Sequence, residues 1–187
     1  MNRTYLYVAF EEFDELRSLG ASWDTEAKCW YIGPEANRSH FGRWLPPGAE
    51  EGYDDYSIVS ADAYVASART NCWRCHTLTE VACIYCASGE VAGVRYEQFS
   101  VSNISAVHPE LERQLAPWPN FRFCEYAAGT FTRLNHCSHC GVRQEDYDLH
   151  GEPGGVFFSL RGAEPGTIDL TPLTGLVRMS GDEGLEP

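Results

Sequence analysis

Lysine and long apolar runs are almost absent from this chain of 187 residues. Lys28 is the only lysine, so arginine supplies nearly all of the 14 basic residues, against 27 acidic ones. The resulting net charge of −13 opposes nonspecific DNA binding, because that affinity comes from neutralising phosphates, unless the arginines cluster on one face. No apolar run approaches the ~18 residues of a membrane-spanning helix, so no membrane association is predicted.

Sequence signatures of secretion and of common enzymes are also missing. The first residues contain neither the apolar segment nor the small-residue cleavage site of a secretory signal. We therefore expect a cytoplasmic protein, where paired cysteines are metal ligands more often than disulfides. No phosphate-binding glycine loop, nucleophile elbow or zinc-protease helix motif is found.

Two Cys-x-x-Cys pairs are the strongest signal that is present. Cys72 with Cys75, and Cys137 with Cys140, have the spacing of zinc knuckles, in which a tight turn directs both thiolates at one ion. Four thiolates complete the tetrahedral shell of a structural Zn²⁺ site, whereas a catalytic zinc usually keeps one position open. Roughly 60 residues separate the two pairs, so a small subdomain is inserted between them.

Other residues remain alternative ligands. Cys83 and Cys86 form a third pair close behind Cys75, but they lie in an apolar run typical of a buried strand with small cysteines. Their participation in metal binding stays open. Three histidines flank the knuckles and could replace a thiolate or hydrogen-bond a sulfur: His76, His136 and His139.

The predicted fold class is α+β, a small N-terminal βαβ-type unit followed by a strand-rich zinc-ribbon-like domain. The boundary is a proline- and glycine-led acidic stretch that begins at Pro46. The predicted divisions are an N-terminal domain at 1–46, an acidic linker at 47–66, the zinc-ribbon-like domain at 67–179 and a flexible tail at 180–187.

Within the N-terminal unit, an aromatic and β-branched strand over 5–10 precedes an acidic helix that ends at Gly20. Strands over 21–23 and 29–32 and a short helix containing Trp44 complete the unit.

The second domain is predicted to be mostly strands. A hairpin is expected from strands at 80–87 and 91–99, with the turn at 88–90. His108 followed by Pro109 has the pattern of a helix N-cap, and Pro117 ends that helix. Further strands are expected over 121–126, 130–134 and 156–158, while 60–68 fits either a short helix or an extended segment.

The N-terminal unit resembles a short bacterial domain of unknown function. The likeness rests on Tyr5–Val8, Leu19–Asp24, Lys28–Ile32 and Trp44–Pro46. That family is found fused to plasmid-type primases and helicases, so the resemblance implies work on nucleic acids, with single-stranded or branched DNA as the expected partner. Arg17, Trp23 and Trp30 are the expected contacts, since aromatic stacking beside an arginine tolerates any base sequence. The alternative is that the tryptophans only form the core.

Segments around both knuckles, together with Leu149–Phe157, resemble uncharacterised bacterial zinc-ribbon proteins. This resemblance supports the four-cysteine ligand set and implies no activity.

Three functional classes remain. The first is a non-enzymatic zinc-binding protein that acts as an accessory module in bacterial DNA transactions of plasmids or phages. The second is an acidic protein-interaction or immunity/inhibitor module, which the charge favours. The third is an enzyme built on Asp146, Asp148 and His150, whose alternating spacing would place them on one side of an extended segment.

Overall fold

The computed structural model describes residues 3–6, 8, 12–25, 29–45, 56–127, 130–158, 160 and 167–184. Over these ranges the protein is rich in strands and has only short helices, a mixed α+β composition as predicted. None of the helices in these ranges is long and apolar enough to cross a membrane.

The N-terminal unit is a split βαβ arrangement. Strand β3 lies between β1 and β2 and is antiparallel to both, so β1 and β2 run parallel and are connected through α1. The elements are β1 (Thr4–Leu6), α1 (Phe13–Ser18), β2 (Ser22–Asp24), β3 (Cys29–Ile32) and a 3-10 helix (Arg38–Trp44).

A separate aromatic core stabilises this unit. Leu16 of α1 packs with Trp30 and Ile32 of β3 and with Phe41 and Trp44 of the 3-10 helix, all nearly fully buried. The helix dipole of α1 is complemented by acidic residues in the first turn, as the sequence predicts.

The described residues between 56 and 184 form one extensive antiparallel sheet system with two short helical elements. The elements are β4 (Ile58–Asn71), β5 (Leu78–Val91), β6 (Val94–Val107), α2 (Pro109–Gln114), β7 (Phe121–Ala127), β8 (Thr130–His136), β9 (Arg143–Gln144), a π-helical turn (Tyr147–Gly151), β10 (Ile168–Pro172) and β11 (Val177–Gly184). His108 caps α2, since its Nδ1 accepts a hydrogen bond from the Glu110 N–H, and Pro109 is the first helical residue, as predicted.

Four of these strands pair with one another in a closed ring. β4 pairs with β5, β5 with β6, β6 with β11, and β11 returns to β4. β10 pairs with β4 and extends the sheet on that side. β8 pairs with β6 at Ile104 and also pairs with β7 and β9. The ring surrounds an apolar core to which Leu111 and Leu115 of the α2 region contribute.

β5 is buried on both faces. Ala82, Ile84 and Cys86 point into the core of the ring, whereas Val81 and Cys83 pack on the opposite face. That second cluster also contains Leu149 and Phe157 from the chain after the second knuckle. The buried strand predicted around Cys83 and Cys86 is therefore confirmed.

Parts of the linker and of the tail predicted from composition are strands in the structure. Residues 46–55 lie outside the described residues, and the chain from Ile58 onward is already β4, so the part of the predicted linker over 58–66 is strand. At the other end, Asp182, Glu183 and Gly184 pair with β6, so the predicted flexible tail is wrong for 180–184. Both segments gain backbone hydrogen bonds from strands far away in the sequence, which local composition does not report.

The predicted β-hairpin forms with its turn in another place. Ser88, Gly89 and Glu90 continue β5, and the chain reverses at Ala92 and Gly93, whose φ values of +49° and +80° fit a two-residue type I′ turn. Gly89 lies within β5 at a crowded position, where a Cβ would be 3.0 Å from the Val59 carbonyl oxygen.

The strand predicted over 156–158 is also wrong, since Val156–Phe158 is a turn. Phe157 is buried and its N–H donates to the Leu149 carbonyl at 2.8 Å, so the apolar run anchors a loop against the π-helical turn.

Candidate metal centre

Each cysteine pair lies at the tip of a β-hairpin. Cys72 and Cys75 occupy the connection between β4 and β5, and Cys137 and Cys140 occupy the connection between β8 and β9. The tips of these two hairpins lie together in the fold, so the two knuckles are close in space although they are distant in sequence.

Two of the sulfur–sulfur separations in the cluster match those of a tetrahedral site. All four Sγ atoms lie within 4.8 Å of one another. The Cys72–Cys140 and Cys75–Cys137 sulfur pairs are both 3.7 Å apart. A zinc ion with four sulfurs at about 2.3 Å in a tetrahedron places those sulfurs about 3.8 Å apart, whereas a disulfide needs about 2.05 Å. The cluster can hold a metal ion, and its soft, closed donor set fits Zn²⁺ or iron.

The two knuckles have the same backbone geometry. In the first, the His76 N–H donates to the Cys72 carbonyl at 2.9 Å, and the Cys72 N–H donates to the Thr77 carbonyl at 3.0 Å. In the second, Gly141 and Val142 make the corresponding bonds with Cys137 at 2.9 Å and 2.8 Å. The fourth residue after the first cysteine has a positive φ in both cases, +58° at His76 and +73° at Gly141.

Hydrogen-bond donors around the sulfurs favour thiolates. Burial raises the pKa of Cys72, but the N–H groups of Cys75 and Arg74 together with the thiols of Cys75 and Cys137 outweigh it and lower that pKa to about 6. At Cys140 the Val142 N–H lowers the pKa, yet burial and the neighbouring cysteines outweigh it and raise it to about 11. Four thiolates at this distance repel one another, so full ionisation requires a bound cation.

The other candidate ligands do not join the cluster. Cys83 and Cys86 lie on opposite faces of β5, and burial raises the pKa of Cys83 well above its usual value and that of Cys86 to about 12. His136 is buried, with Nδ1 3.0 Å from the Leu134 carbonyl oxygen, and burial lowers its pKa to about 4. His76 and His139 are exposed. Among the described residues the metal-ligating cluster contains only the four cysteines.

Two buried amide side chains support the centre, and the sequence analysis missed both. Gln144 Nε2 donates to Cys72 Sγ at 3.5 Å and to the Val142 carbonyl at 3.2 Å. Asn135 bonds both backbone groups of Ala82, accepting from its N–H at 2.7 Å and donating to its carbonyl at 2.8 Å. β5 is not paired with β6 at Ala82, and the Asn135 side chain takes the place of that missing partner. Asn135 thereby joins β8, which leads into the second knuckle, to β5, which follows the first. No local pattern distinguishes these amides from surface ones.

The alternative enzyme site does not assemble. Asp146, Asp148 and His150 lie in and beside the π-helical turn and not on an extended segment. Asp146 is buried and accepts a 2.7 Å hydrogen bond from the Asn103 N–H, whereas Asp148 is exposed. His150 stacks near Phe157 with Nδ1 3.4 Å from Ser100 Oγ, and burial lowers its pKa to about 4.

Asp146 gives a pH-dependent stability prediction. Burial raises its pKa from 3.8 to about 6, so the folded protein binds this proton more tightly than the unfolded chain. Stability attributable to Asp146 is therefore greatest below pH 4 and falls as the pH rises to 6. We expect Asp146→Asn, which retains an oxygen acceptor for Asn103, to stabilise the protein at pH 7 by about 1–3 kcal/mol.

Urea unfolding of both proteins across this range measures the effect. The difference in unfolding free energy between Asp146→Asn and the wild-type protein should vanish near pH 4. The lowered pKa values of His136 and His150 make stability rise with pH, but this contribution is the same in both proteins and cancels in the difference. A variant that is less stable at pH 7 would show that the carboxylate is needed in ionised form.

The proposed nucleic-acid contacts lie in one aromatic cluster. Trp30 is 4 % exposed, and the centroid of its ring lies 5.7 Å from the ring centroids of both Trp23 and Phe13. Trp23 is 43 % exposed, and the exposed Arg17 places its guanidinium 5.7 Å from the Trp30 ring centroid. Arg17 and Trp23 are thus surface groups held beside a common buried ring.

Comparison with known proteins assigns the N-terminal part alone. Residues 3–46 match the domain of unknown function DUF5710, which confirms the resemblance inferred for this region. Two DNA primases TraC of Escherichia coli are each 40% identical to the chain, over 48 and 47 residues. These matches cover 26% and 25% of this chain but only 3% and 4% of the primases. No solved structure matches the chain.

Proposed function

We propose that this is a non-enzymatic zinc-binding protein in which Cys72, Cys75, Cys137 and Cys140 hold one structural Zn²⁺. The 3.7 Å separations of the sulfur pairs carry this proposal, because they equal the edge of a tetrahedral zinc–thiolate site within about 0.1 Å. Four protein ligands leave no position for a substrate or a reactive water, so the ion serves the fold.

The proposed biological role is that of an accessory module in bacterial DNA transactions, in a plasmid-related or other mobile-element setting. The match of residues 3–46 to DUF5710 and the similarity of a 48-residue stretch to a DNA primase TraC support this role. Trp23 and Arg17 are the surface groups that can contact a single strand, one by base stacking and the other by pairing with phosphate. Trp30 supports both from beneath.

Binding of labelled single-stranded and branched oligonucleotides at low salt tests this role. We expect weak binding that weakens further with added salt, and a loss of about tenfold in Trp23→Ala, since stacking of one base contributes about 1–3 kcal/mol. Tyr147→Ala removes an exposed aromatic side chain of the sheet domain and is the matched control. Absence of binding to every nucleic-acid form at low salt would refute the role in DNA transactions and leave the zinc proposal intact.

We further propose that the N-terminal unit and the sheet from 56 onward fold as separate domains, since their cores are separate clusters and no strand pairs across within the described ranges. The predicted boundary contains Glu50 and Glu51. A glutamate-specific protease should therefore make its first cut there. A first cut inside 75–137 would contradict this division.

A further inference from the structure

A surface cavity of about 280 Å³ lies beside the first knuckle. Its volume is just below the roughly 300–1,000 Å³ of pockets for small organic ligands, and suits a single side chain. The lining residues come from the end of β4, the first knuckle, β9 and the π-helical turn with its following loop. Those that matter here are Trp73, Gln144, Asp148, Glu152 and Gly155.

Trp73 gives this cavity a fixed aromatic wall. The side chain is 55 % exposed, yet its indole N–H donates to the Arg143 carbonyl at 2.8 Å. The ring is therefore held in one orientation while much of its surface remains open to solvent. Tryptophan faces attract cations, and tryptophan is enriched among the residues that dominate protein interfaces.

The polar groups that line the cavity are ready to accept hydrogen bonds. Asp148 and Glu152 are exposed, and no hydrogen bond or ion pair to either carboxylate is found within the described ranges. Gln144 is only 4 % exposed and is held in place by its Nε2, which bonds Cys72 and Val142. A ligand that donates several N–H groups and carries positive charge matches this set.

The loop that forms the opposite wall is tightly built. Gly155 donates to the Glu152 carbonyl at 2.8 Å, and a Cβ at Gly155 would lie 2.6 Å from the Asp148 carbonyl oxygen. Gly154 has a φ of +97°, a conformation that favours glycine. The two carboxylates are therefore presented from a compact segment, which reduces the ordering cost of binding.

We propose that this cavity is a docking site for an arginine or lysine side chain of a partner protein. The cation would lie against the face of Trp73 and donate to the carboxylates of Asp148 and Glu152. The net charge of −13 attracts a basic partner and repels the phosphates of a nucleic acid. This proposal goes beyond the zinc and DNA roles and gives the acidic interaction module a defined surface.

The docking site is connected to the metal centre. Trp73 lies within the first knuckle, and Gln144 contacts the cavity while donating to Cys72 Sγ at 3.5 Å. Removal of the metal should therefore abolish docking along with the knuckle geometry.

Two-dimensional ¹H–¹⁵N NMR of the full chain with bound metal, titrated with the blocked tripeptide Gly-Arg-Gly, tests the site. We expect shifts confined to 70–73 and 148–156 with a dissociation constant of about 1 mM, and none with Gly-Gln-Gly. Trp73→Ala and the double variant Asp148→Asn/Glu152→Gln should each weaken binding about tenfold. The matched double variant Glu90→Gln/Asp169→Asn removes the same charge from exposed strand positions and should leave binding unchanged.

Metal content and the dispersion of the NMR spectrum show whether each variant is folded. Trp73→Phe keeps an aromatic face and should retain part of the affinity for the arginine peptide. Equal binding of the arginine and glutamine peptides would overturn the proposal. So would shifts of the same residues by an oligothymidylate without a response to the arginine peptide, which would make the surface a nucleic-acid site.

Discussion

Cys137→Ser is expected to lose the bound metal and to destabilise the sheet domain by about 4 kcal/mol. The proposed zinc would cross-link hairpins that are roughly 60 residues apart, and closing a loop of that length removes about this much chain entropy from the unfolded state. Loss of one thiolate opens the shell, and serine is a poor ligand for a soft site. Metal analysis together with urea unfolding monitored by tryptophan fluorescence measures both changes, and Cys72→Ser, Cys75→Ser and Cys140→Ser should behave alike.

Cys124→Ser is the matched control, because Cys124 is a half-buried cysteine of β7 outside the cluster. It should retain all of its zinc, and Cys29→Ser should do the same. If Cys137→Ser keeps full zinc while Cys83→Ser or Cys86→Ser loses it, the ligand assignment is wrong.

Glu112→Ala is expected to destabilise the protein by about 3–5 kcal/mol, because it leaves the buried Arg133 without its countercharge. Arg133 of β8 is 2 % exposed, and its guanidinium pairs with Glu112 of α2. The same group donates to the Phe121 carbonyl and lies 4.7 Å from the centroid of the Phe123 ring. The ion pair joins α2 to β8, the strand that leads into the second knuckle.

Glu110→Ala provides the control on the same helix. Glu110 pairs with Arg113 at the surface, where such a pair contributes below about 1 kcal/mol. The double variant Glu112→Ala/Arg133→Met should recover much of the lost stability, since it removes the unpaired charge and keeps an apolar side chain between the phenylalanines. Equal unfolding midpoints for Glu112→Ala and Glu110→Ala would show that Arg133 does not need this partner.

Local signals allowed the four-cysteine cluster and much of the N-terminal unit to be predicted. Cys-x-x-Cys spacing acts within a single turn, so the two knuckles were recognisable without their partners, and His108 with Pro109 marked a helix start for the same reason. The burial of Cys83 and Cys86 also followed from the apolar run around them.

Long-range pairing was beyond a local interpretation. β11 closes the ring, but its polar residues from Ser180 onward resembled a frayed tail because their pairing with β6 is not visible in the local sequence. A Cβ at Gly181 would lie 2.9 Å from the Ser102 carbonyl oxygen, so this glycine marks a close approach of two strands and not a chain end. Likewise the supports of the metal centre, Asn135 and Gln144, acquire their roles only when the two hairpins meet.

X-ray absorption at the zinc edge of purified wild-type protein tests the central claim most directly. The account predicts about one zinc per chain, bound by four sulfurs at about 2.3 Å with no nitrogen in the first coordination sphere. Such a result would agree with the 3.7 Å separations of the sulfur pairs. A shell that includes an imidazole nitrogen, or protein that contains iron in place of zinc, would contradict it.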